Sequence, residues 1–442
     1  MTQVIQAVLT TVGRGYSSSP AFAERLDVVS IGLVVGDNQV VWGDCVPIGI
    51  VETADNSIPT HWEPADIIQA IETEIAPRLV NKPLQAVREL MQEIDGLTET
   101  VTIAKELPPE PPKEPDRRVS RRDLFRGRLA KPDVPEPETQ YEYLRVTRHL
   151  NPALRYGVSQ ALVKAFALSE NLTVAEAIGT LYDIQSEFAP VKLMAEIDRA
   201  QLSSVNSIMP YNVSAIGYTA ASSHAQTVLG NDGVFMQKYV RQMKEQIENY
   251  RAARIFATAE SEPPALVVNV QGGYGKLFPS NSGRQLGKLV GLEKVVKPLQ
   301  LYVVDPVLHL DKQTHVRELR QLKQYGKMRK ASFNIVAKQH VLNTKSLAEF
   351  IDVDMATTYY LDLPLFGSVE QIMGAIQLCK KHDVGFILGG ETADTLNTAS
   401  FNTHLALATA PTFLVAKPQG DIGILHSQNQ MAQTLAALRH KS

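Results

Sequence analysis

The sequence predicts an α/β fold in which a closed barrel of parallel strands follows a smaller α+β module. Two observations lead there. From about residue 190, short apolar runs alternate with helical segments over about 225 residues, the pattern of a parallel sheet, and eight such runs suggest closure into a barrel. Before that point the chain reads as a hairpin followed by helices. Its 442 residues are too many for one small domain, and either two or three domains or a barrel with an extra layer fits that length.

Taken in order, the stretch from Arg25 to Ile48 gives two strands, LDVVSIGLVVG and QVVWGDCVPI, joined by a turn at Asp37 and Asn38. Residues Glu63 to Ile94 carry helical spacing through Ile67, Ile68, Ile71, Ile75 and Leu79, then Val87, Leu90, Met91 and Ile94. Asn151 is a ready N-cap and Pro152 a ready first residue for a helix reaching Leu168. Barrel strands are expected at Lys192 to Ile197, Ser207 to Tyr211, Ala265 to Val270, Leu301 to Val304, Ser332 to Ala337, Tyr359 to Leu361, Gly385 to Leu388 and Phe413 to Ala416. Helices are expected at Phe235 to Ala257, Thr314 to Tyr325, Thr344 to Phe350, Val369 to Lys381 and Thr392 to Ala408. The domains are then 1–185, 186–416 and a C-terminal tail and helix at 417–442. A doubly wound open sheet is the alternative, but it wants a glycine-rich loop after its first strand, and Lys192 to Asp198 has no glycine.

Composition narrows the function. With 44 basic against 47 acidic residues, nothing in the totals asks for nucleic acid or an anionic membrane. No apolar run reaches the roughly 18 residues of a membrane span, and MTQVIQAVLTTVG lacks the basic flank and apolar core of a secretory signal, so a cytoplasmic protein is expected. The two cysteines, Cys45 and Cys379, supply neither a disulfide framework nor a thiolate metal motif, and are expected as buried small hydrophobes. His309, His340 and His404 are isolated in sequence, without metal-ligand spacing.

The totals conceal a local anomaly. Eight of the 25 prolines lie between Pro108 and Pro137, and Arg117 to Lys131 holds seven basic residues against the single acid Asp123. Proline fixes φ and removes a donor, so PPEPPKEP and KPDVPEPE are expected to be extended arms around SRRDLFRGRLA. We read about 103–140 as an insertion into the N-terminal module. It is either a solvated surface segment or a docking motif for a protein partner, with Leu124 and Phe125 as the anchor.

Several segments resemble methylaspartate ammonia-lyase, a family of the enolase superfamily: VVSIGLVVGDNQVVWGDC, LRYGVSQALVKAFAL, VVNVQGGYGKLF, LQLYVVDPV, LPLFGSVEQIMGAIQLCKKHDV, GGETADTLNTASFNTHLALA and VAKPQGDIG. They run from Val28 to Gly423, with the Pro/Arg segment outside them. The resemblance implies a capping domain on a modified TIM barrel, a homodimer, and removal of a proton next to a carboxylate with expulsion of ammonia. That chemistry needs a dication, usually magnesium, held by carboxylates at successive strand ends, and a lysine base.

Residue by residue, the family's three metal carboxylates fall on Asn269, Val304 and Lys338, and its catalytic lysine on Asp362. The glutamine two before that lysine falls on Tyr360, the first-strand glutamine on Glu196, and the histidine after the second strand near Tyr218. Where the family has Gln-Gly-Gly-Thr, this chain has Leu388, Gly389, Gly390 and Glu391. Asp305, one residue past Val304, points to the other face of an ideal strand and replaces the lost ligand only if the strand end bulges. An amide, a valine and a cation do not make a site for a hard dication. We therefore expect no metal and no other cofactor.

Two readings of the replacement set follow. In one, Lys338 takes the place of the lost cation and pairs with Asp362 or Glu391. The result is a non-catalytic relative, a pseudoenzyme with a binding or regulatory role. In the other, the mouth is repurposed as a metal-independent lyase or isomerase for a small carboxylic acid. Lys338 is then nucleophile or base, Asp362 or Glu391 its partner and Tyr360 a proton donor. Glu196, Asn269, Gln271 and Asp305 are the candidate substrate contacts in either case. A carbon–nitrogen lyase of the family type is the third reading. Asp44 and Cys45 lie in a hairpin whose loops reach the barrel mouth in the superfamily, although a core or turn role suits them better. The loop Gly272-Gly273-Tyr274-Gly275 follows a strand but lacks a phosphate loop's Lys-Ser/Thr, so a structural turn is expected.

Overall fold

A computed structural model of the chain describes residues 3–15, 26–46, 48–52, 57–61, 63–106, 141–184, 190–197, 204–220, 229–253, 262–390 and 395–416, with isolated positions at 227 and between 426 and 438. By their contacts the residues form two units, Met1–Asp95 with Asn151–Ser442, and Gly96–Leu150.

The first unit opens with an antiparallel sheet of β1 (Ile5–Gly15), β2 (Leu26–Val35) and β3 (Gln39–Cys45), in that order. The predicted hairpin is β2–β3; β1 is an additional strand. A second hairpin, β4 (Ile48–Glu52) with β5 (Ser57–His61), follows. The helices Pro64–Ala70 and Ala76–Leu79 are joined by a π turn at Ile71–Ile75, so Ile67, Ile71, Ile75 and Leu79 are all buried. The helix Val87–Asp95 buries Val87, Leu90, Met91 and Ile94. The helix Pro152–Ser169 starts as its sequence dictates, with the Asn151 side chain accepting from the Ala153 N–H at 2.8 Å, a cap worth about 1 kcal/mol. It is apolar on nearly all sides and buried between neighbours. Its contact with β3 depends on glycines: a Cβ on Gly43 would lie 1.9 Å from the Gly157 carbonyl, and one on Gly157 would lie 2.4 Å from Cys45 Sγ. Cys45 and Cys379 are both buried and free.

The second unit contains β6 (Thr98–Glu106) and β7 (Tyr141–His149), an antiparallel pair in register from Thr98 opposite His149 to Glu106 opposite Tyr141. Residues 103–106, read from sequence as the start of the insertion, are thus strand. The basic stretch Arg117 to Lys131 lies outside the described residues.

The barrel comprises β8 (Leu193–Ile197), β9 (Ala215–Thr219), β10 (Ala265–Asn269), β11 (Leu301–Val304), β12 (Asn334–Ala337), β13 (Thr358–Asp362), β14 (Gly385–Gly389) and β15 (Phe413–Ala416). Every neighbouring pair is parallel, and β15 closes on β8. One expected strand is wrong. Ser207 to Tyr211 is helical, as Ser204–Ile208 followed by a 3-10 turn at Met209–Tyr211, and the strand is β9. Pro210 cannot donate to a ladder, and Asn212, with φ of 50°, turns the chain into the true strand. The helix Ser282–Val296 between β10 and β11 is another element absent from the sequence reading.

The N-terminal elements are tied to the helices that follow β13 and β14. Ser368 caps the helix Val369–Lys381 and donates to Asp95, which also takes Arg155 Nη1 at 2.7 Å. Thr395 caps the helix Leu396–Thr409 and donates to Asp44, whose other oxygen accepts from Ser30 Oγ at 2.7 Å. Arg88 pairs with Glu370 at 2.9 Å. Both caps stand just past the C-terminal ends of their strands, so the N-terminal sheet and helices are fixed at the barrel's C-terminal mouth. No helix of the described residues is long and apolar enough to cross a membrane.

Candidate active site at the barrel mouth

Side chains of alternate strand residues fill a barrel. Met194, Ala215, Val267, Tyr302, Val304, Val336, Tyr360, Ile387, Phe413 and Val415 form such an interior cluster. Continuing each strand by two residues from this layer reaches Glu196 on β8 and Asn269 on β10, Lys338 just after β12, Asp362 on β13 and Gly389 on β14. Thr219 joins them on β9, where Ala215, Gly217 and Thr219 share a face. Thr219 Oγ1 donates to Glu196 Oε1 at 3.5 Å. The sequence reading missed Thr219 because it misplaced the second strand; the alternation in AIGYT is the signal that identifies it.

Lys338 Nζ lies 4.5 Å from the centroid of the Tyr360 ring, a cation–π contact. Tyr360 has room because β14 offers a glycine beside it: a Cβ on Gly389 would fall 2.3 Å from the Tyr360 hydroxyl oxygen. Asp362 is buried, and a Cβ on Gly390 would approach its Oδ1 to 3.4 Å. Gly217 performs a similar service for Glu196, whose Cγ would be 3.2 Å from an added Cβ. Glycines on β9 and β14 thus make the space in which the polar layer sits.

Asn269 and Asp305 are committed to local backbone. The Asn269 side-chain oxygen accepts from the Gln271 N–H at 3.1 Å, holding Gln271 at φ of 45°. Gly272 follows at φ of 74°, and a Cβ there would meet Leu308 Cβ at 2.4 Å, so the glycines serve a tight turn. Asp305 also has a positive φ, 41°. Its Oδ1 and Oδ2 accept from the N–H groups of Lys338 and Gln339 at 3.0 and 2.9 Å, tying the end of β11 to that of β12. The same carboxylate lies 4.0 Å from His315 Nε2, on the helix Lys312–Met328. Asp305 therefore faces the helical layer, and the strand end does not bring it into Val304's place.

Around Asp305 the fold gathers histidines that sequence separation had kept apart. His340 Nε2 lies 2.9 Å from the His309 carbonyl, His309 Nε2 lies 2.9 Å from Glu318 Oε2, and the rings of His315 and His340 stand 5.3 Å apart. Burial, and then the proximity of His340 and His309, lowers the pKa of His315 to about 3. Among the described residues no group of three or more His, Cys, Asp or Glu side chains is arranged to hold a metal.

Comparison with known proteins gives the family and the fold. The profile of the methylaspartate ammonia-lyase C-terminus matches residues 185–440, which span the whole barrel. The chain belongs to the methylaspartate ammonia-lyase family. It is 26% identical to methylaspartate ammonia-lyase 1 of Carboxydothermus hydrogenoformans over 96% of this chain and 89% of that one. Against the Clostridium tetanomorphum enzyme it is 23% identical, covering 97% and 90%. In fold it is similar to the β-methylaspartase of Clostridium tetanomorphum in its magnesium complex, with a TM-score of 0.76 at 20% identity, covering 99% of this chain and all of that one. A mandelate racemase/muconate lactonizing protein from Herpetosiphon aurantiacus, at TM-score 0.59 and 13% identity, covers 94% of this chain and 89% of its own. The fold is thus that of the enolase superfamily, a parallel barrel with an N-terminal antiparallel cap.

Of the residues singled out from the family resemblance, Glu196, Asn269, Lys338, Tyr360 and Asp362 come together on the barrel's inner face. Gln271 and Asp305 belong to the turns around it. Glu391 lies outside the described residues. Tyr218, matched to the family histidine, is on the outer face of β9, with its ring 4.5 Å from that of Tyr239 on the helix Val234–Ala253.

Proposed function

We propose that this member of the methylaspartate ammonia-lyase family does not catalyse magnesium-dependent deamination and uses its barrel mouth to bind a small carboxylic acid. One observation carries the reading. The side chain that stands at the end of β12 against Tyr360, where the family resemblance puts a metal carboxylate, is the cation of Lys338. The rest of the donor set agrees: the Asn269 oxygen is engaged by the Gln271 N–H, and Val304 has no ligand atom. A hard dication wants several anionic oxygens, and an ammonium group in its place repels it. The residues present do not fit magnesium, so no step is routed through it. Lys338 suits a carboxylate instead, because an ammonium group at a strand end of the mouth makes charge-assisted hydrogen bonds to carboxylate oxygens.

A second reading, a metal-independent lyase or isomerase, is favoured by the position of Tyr360 and Asp362 on the same strand face beside Lys338. A lysine so placed could exchange a proton at the carbon next to a bound carboxylate. Purified protein incubated with (2S,3S)-3-methylaspartate, with and without magnesium, is expected to form no mesaconate. Titration with small mono- and dicarboxylates is expected to show binding that K338M removes. Magnesium-dependent mesaconate formation, abolished by a chelator, overturns the proposal. Deuterium incorporation next to the carboxylate in heavy water, with chelator present and lost in K338M, selects the second reading over simple binding.

A further inference from the structure

A lysine that forms no ion pair with any acid among the described residues stands in a cleft far from Lys338 in sequence, lined in part by the helix Leu396–Thr409 that follows β14. Lys164, on the helix Pro152–Ser169, is part-buried and lines a cleft of about 350 Å³. Its ammonium donates to the Trp42 carbonyl at 2.8 Å and to Asn397 Oδ1, and its Nζ lies 5.8 Å from the Phe401 ring centroid. Asn397 Nδ2 donates to the same Trp42 carbonyl at 3.1 Å. These partners are all neutral. Among the described residues no carboxylate forms an ion pair with Lys164; Asp44 acts on it only at longer range, its two oxygens being held by Ser30 and Thr395.

An ammonium group held among neutral groups in a desolvated cleft carries an uncompensated cost, because burial penalises the charged form. That cost lowers the Lys164 pKa from 10.5 to about 8, with Asp44 opposing, so the group remains a cation at neutral pH. Beside it, His404 is kept neutral: burial first, and then the Lys164 charge, lowers its pKa to about 4. Its Nδ1 is buried and has no hydrogen-bond partner among the described residues. The remaining walls are largely apolar and aromatic. The Trp42 indole itself lies over Gly32 on the other face of the sheet from the helix Pro152–Ser169, so Trp42 presents its carbonyl to the cleft, and Val41 begins the apolar wall. Leu168, Leu172 and Phe401 complete that surface.

We propose that this cleft is a second ligand site, taking a monocarboxylate with an aromatic or branched aliphatic body: the carboxylate on Lys164 and the body against Phe401, Leu168 and Leu172. One cation beside a neutral imidazole balances one negative charge. A phosphate or dicarboxylate would leave its second charge uncompensated in the field of Asp44. The site is independent of the barrel mouth, and its failure leaves the reading of Lys338 untouched.

The test uses the full chain with phenylacetate as probe and phenylacetamide as its neutral counterpart, followed by ligand-observed NMR and by tryptophan fluorescence. Phenylacetate is expected to bind at least about tenfold more tightly than phenylacetamide, a difference of one full step in the affinity scale. K164M is expected to erase that preference while K338M leaves it intact, and the preference is expected to fade as pH rises through about 8. Equal binding of acid and amide to the unaltered protein overturns the proposal without recourse to any variant. So does a preference lost in K338M and kept in K164M, which locates the probe in the barrel mouth. A K164M protein that is merely less stable, with the preference unchanged, assigns Lys164 to strapping the helix to β3 and also overturns it.

Discussion

Acidification is expected to destabilise the barrel through His315, and the size of the effect follows from its surroundings. The side chain is fully buried, and neither ring nitrogen has a hydrogen-bond partner among the described residues. The nearest acid, Asp305 at 4.0 Å, is beyond hydrogen-bond reach, and both its oxygens are already engaged by the N–H groups of Lys338 and Gln339. Burial dominates, reinforced by His340 and His309, and the pKa falls from 6.5 to about 3. In the unfolded chain the imidazole regains its ordinary value. Between the two values the unfolded chain binds a proton that the folded one refuses, so stability falls as the pH falls. The stabilisation is complete above about pH 6.5 and is lost progressively towards pH 3. At ~1.4 kcal/mol per pH decade, the cost reaches about 2 kcal/mol at pH 5 and about 4 kcal/mol at pH 3. H315L is of similar volume and removes two unpartnered nitrogens, so its stability at pH 7 is expected within about 1.5 kcal/mol of the parent. Urea unfolding of both proteins at pH 7, 6 and 5 checks the reasoning. The parent should lose about 2 kcal/mol more than H315L over that range. Other acids and histidines titrate in both and cancel in the difference, including His404, itself lowered to about 4. Parallel pH profiles for the two proteins would refute the account.

Two glycine substitutions probe the mouth and the cap separately. G389A is expected to displace the Tyr360 hydroxyl, because the new Cβ falls 2.3 Å from it, and so to weaken small-carboxylate binding in calorimetry while the chain stays folded. Unchanged affinity with a Tyr360 ring still under Lys338 would show that the contact does not shape the mouth. G157A places a methyl group 2.4 Å from Cys45 Sγ and 2.8 Å from the Asp44 backbone, which cannot step aside as a flexible side chain can. It should cost about 3 kcal/mol or more in a urea melt, and parent-like stability would contradict the close approach of the helix to β3.

Most of the barrel was legible because each strand is a short apolar run set off from a helix of different period. Leu301–Val304, Val369–Lys381 and Phe413–Ala416 have the bounds their sequences predict. The miss at Ser207 to Tyr211 came from counting apolar residues without weighing Pro210, which a central strand of a closed barrel does not tolerate. The site was legible to the extent that it lies on strand ends: alternation puts Glu196, Asn269, Lys338, Tyr360 and Asp362 on one face once the strands are placed. Asp305 faces away from the mouth, as alternation from Val304 implies, but its positive φ of 41° and its ties to the Lys338 and Gln339 N–H groups carry no sequence signal. Nor was the grouping of His309, His315 and His340 legible, since they come from two successive βα units and meet only when neighbouring strands align.

The two ends of Asp305's interactions connect the mouth to the helical layer in a way that strand periodicity alone does not reveal. Its carboxylate holds the N–H of Lys338, so the lysine that stands against Tyr360 is positioned through its backbone by an acid that points away from the mouth. Asn269 behaves similarly, spending its side-chain oxygen on the turn that Gln271 and Gly272 make. The mouth so built gathers the Lys338 cation, the Tyr360 ring and the carboxylates of Glu196 and Asp362 on one inner face. Asp95 and Asp44 of the N-terminal elements meanwhile hold the helix caps Ser368 and Thr395 beyond β13 and β14. The barrel mouth and its N-terminal cap are thus held by glycine clearances, helix caps and backbone ties among the chain's own residues.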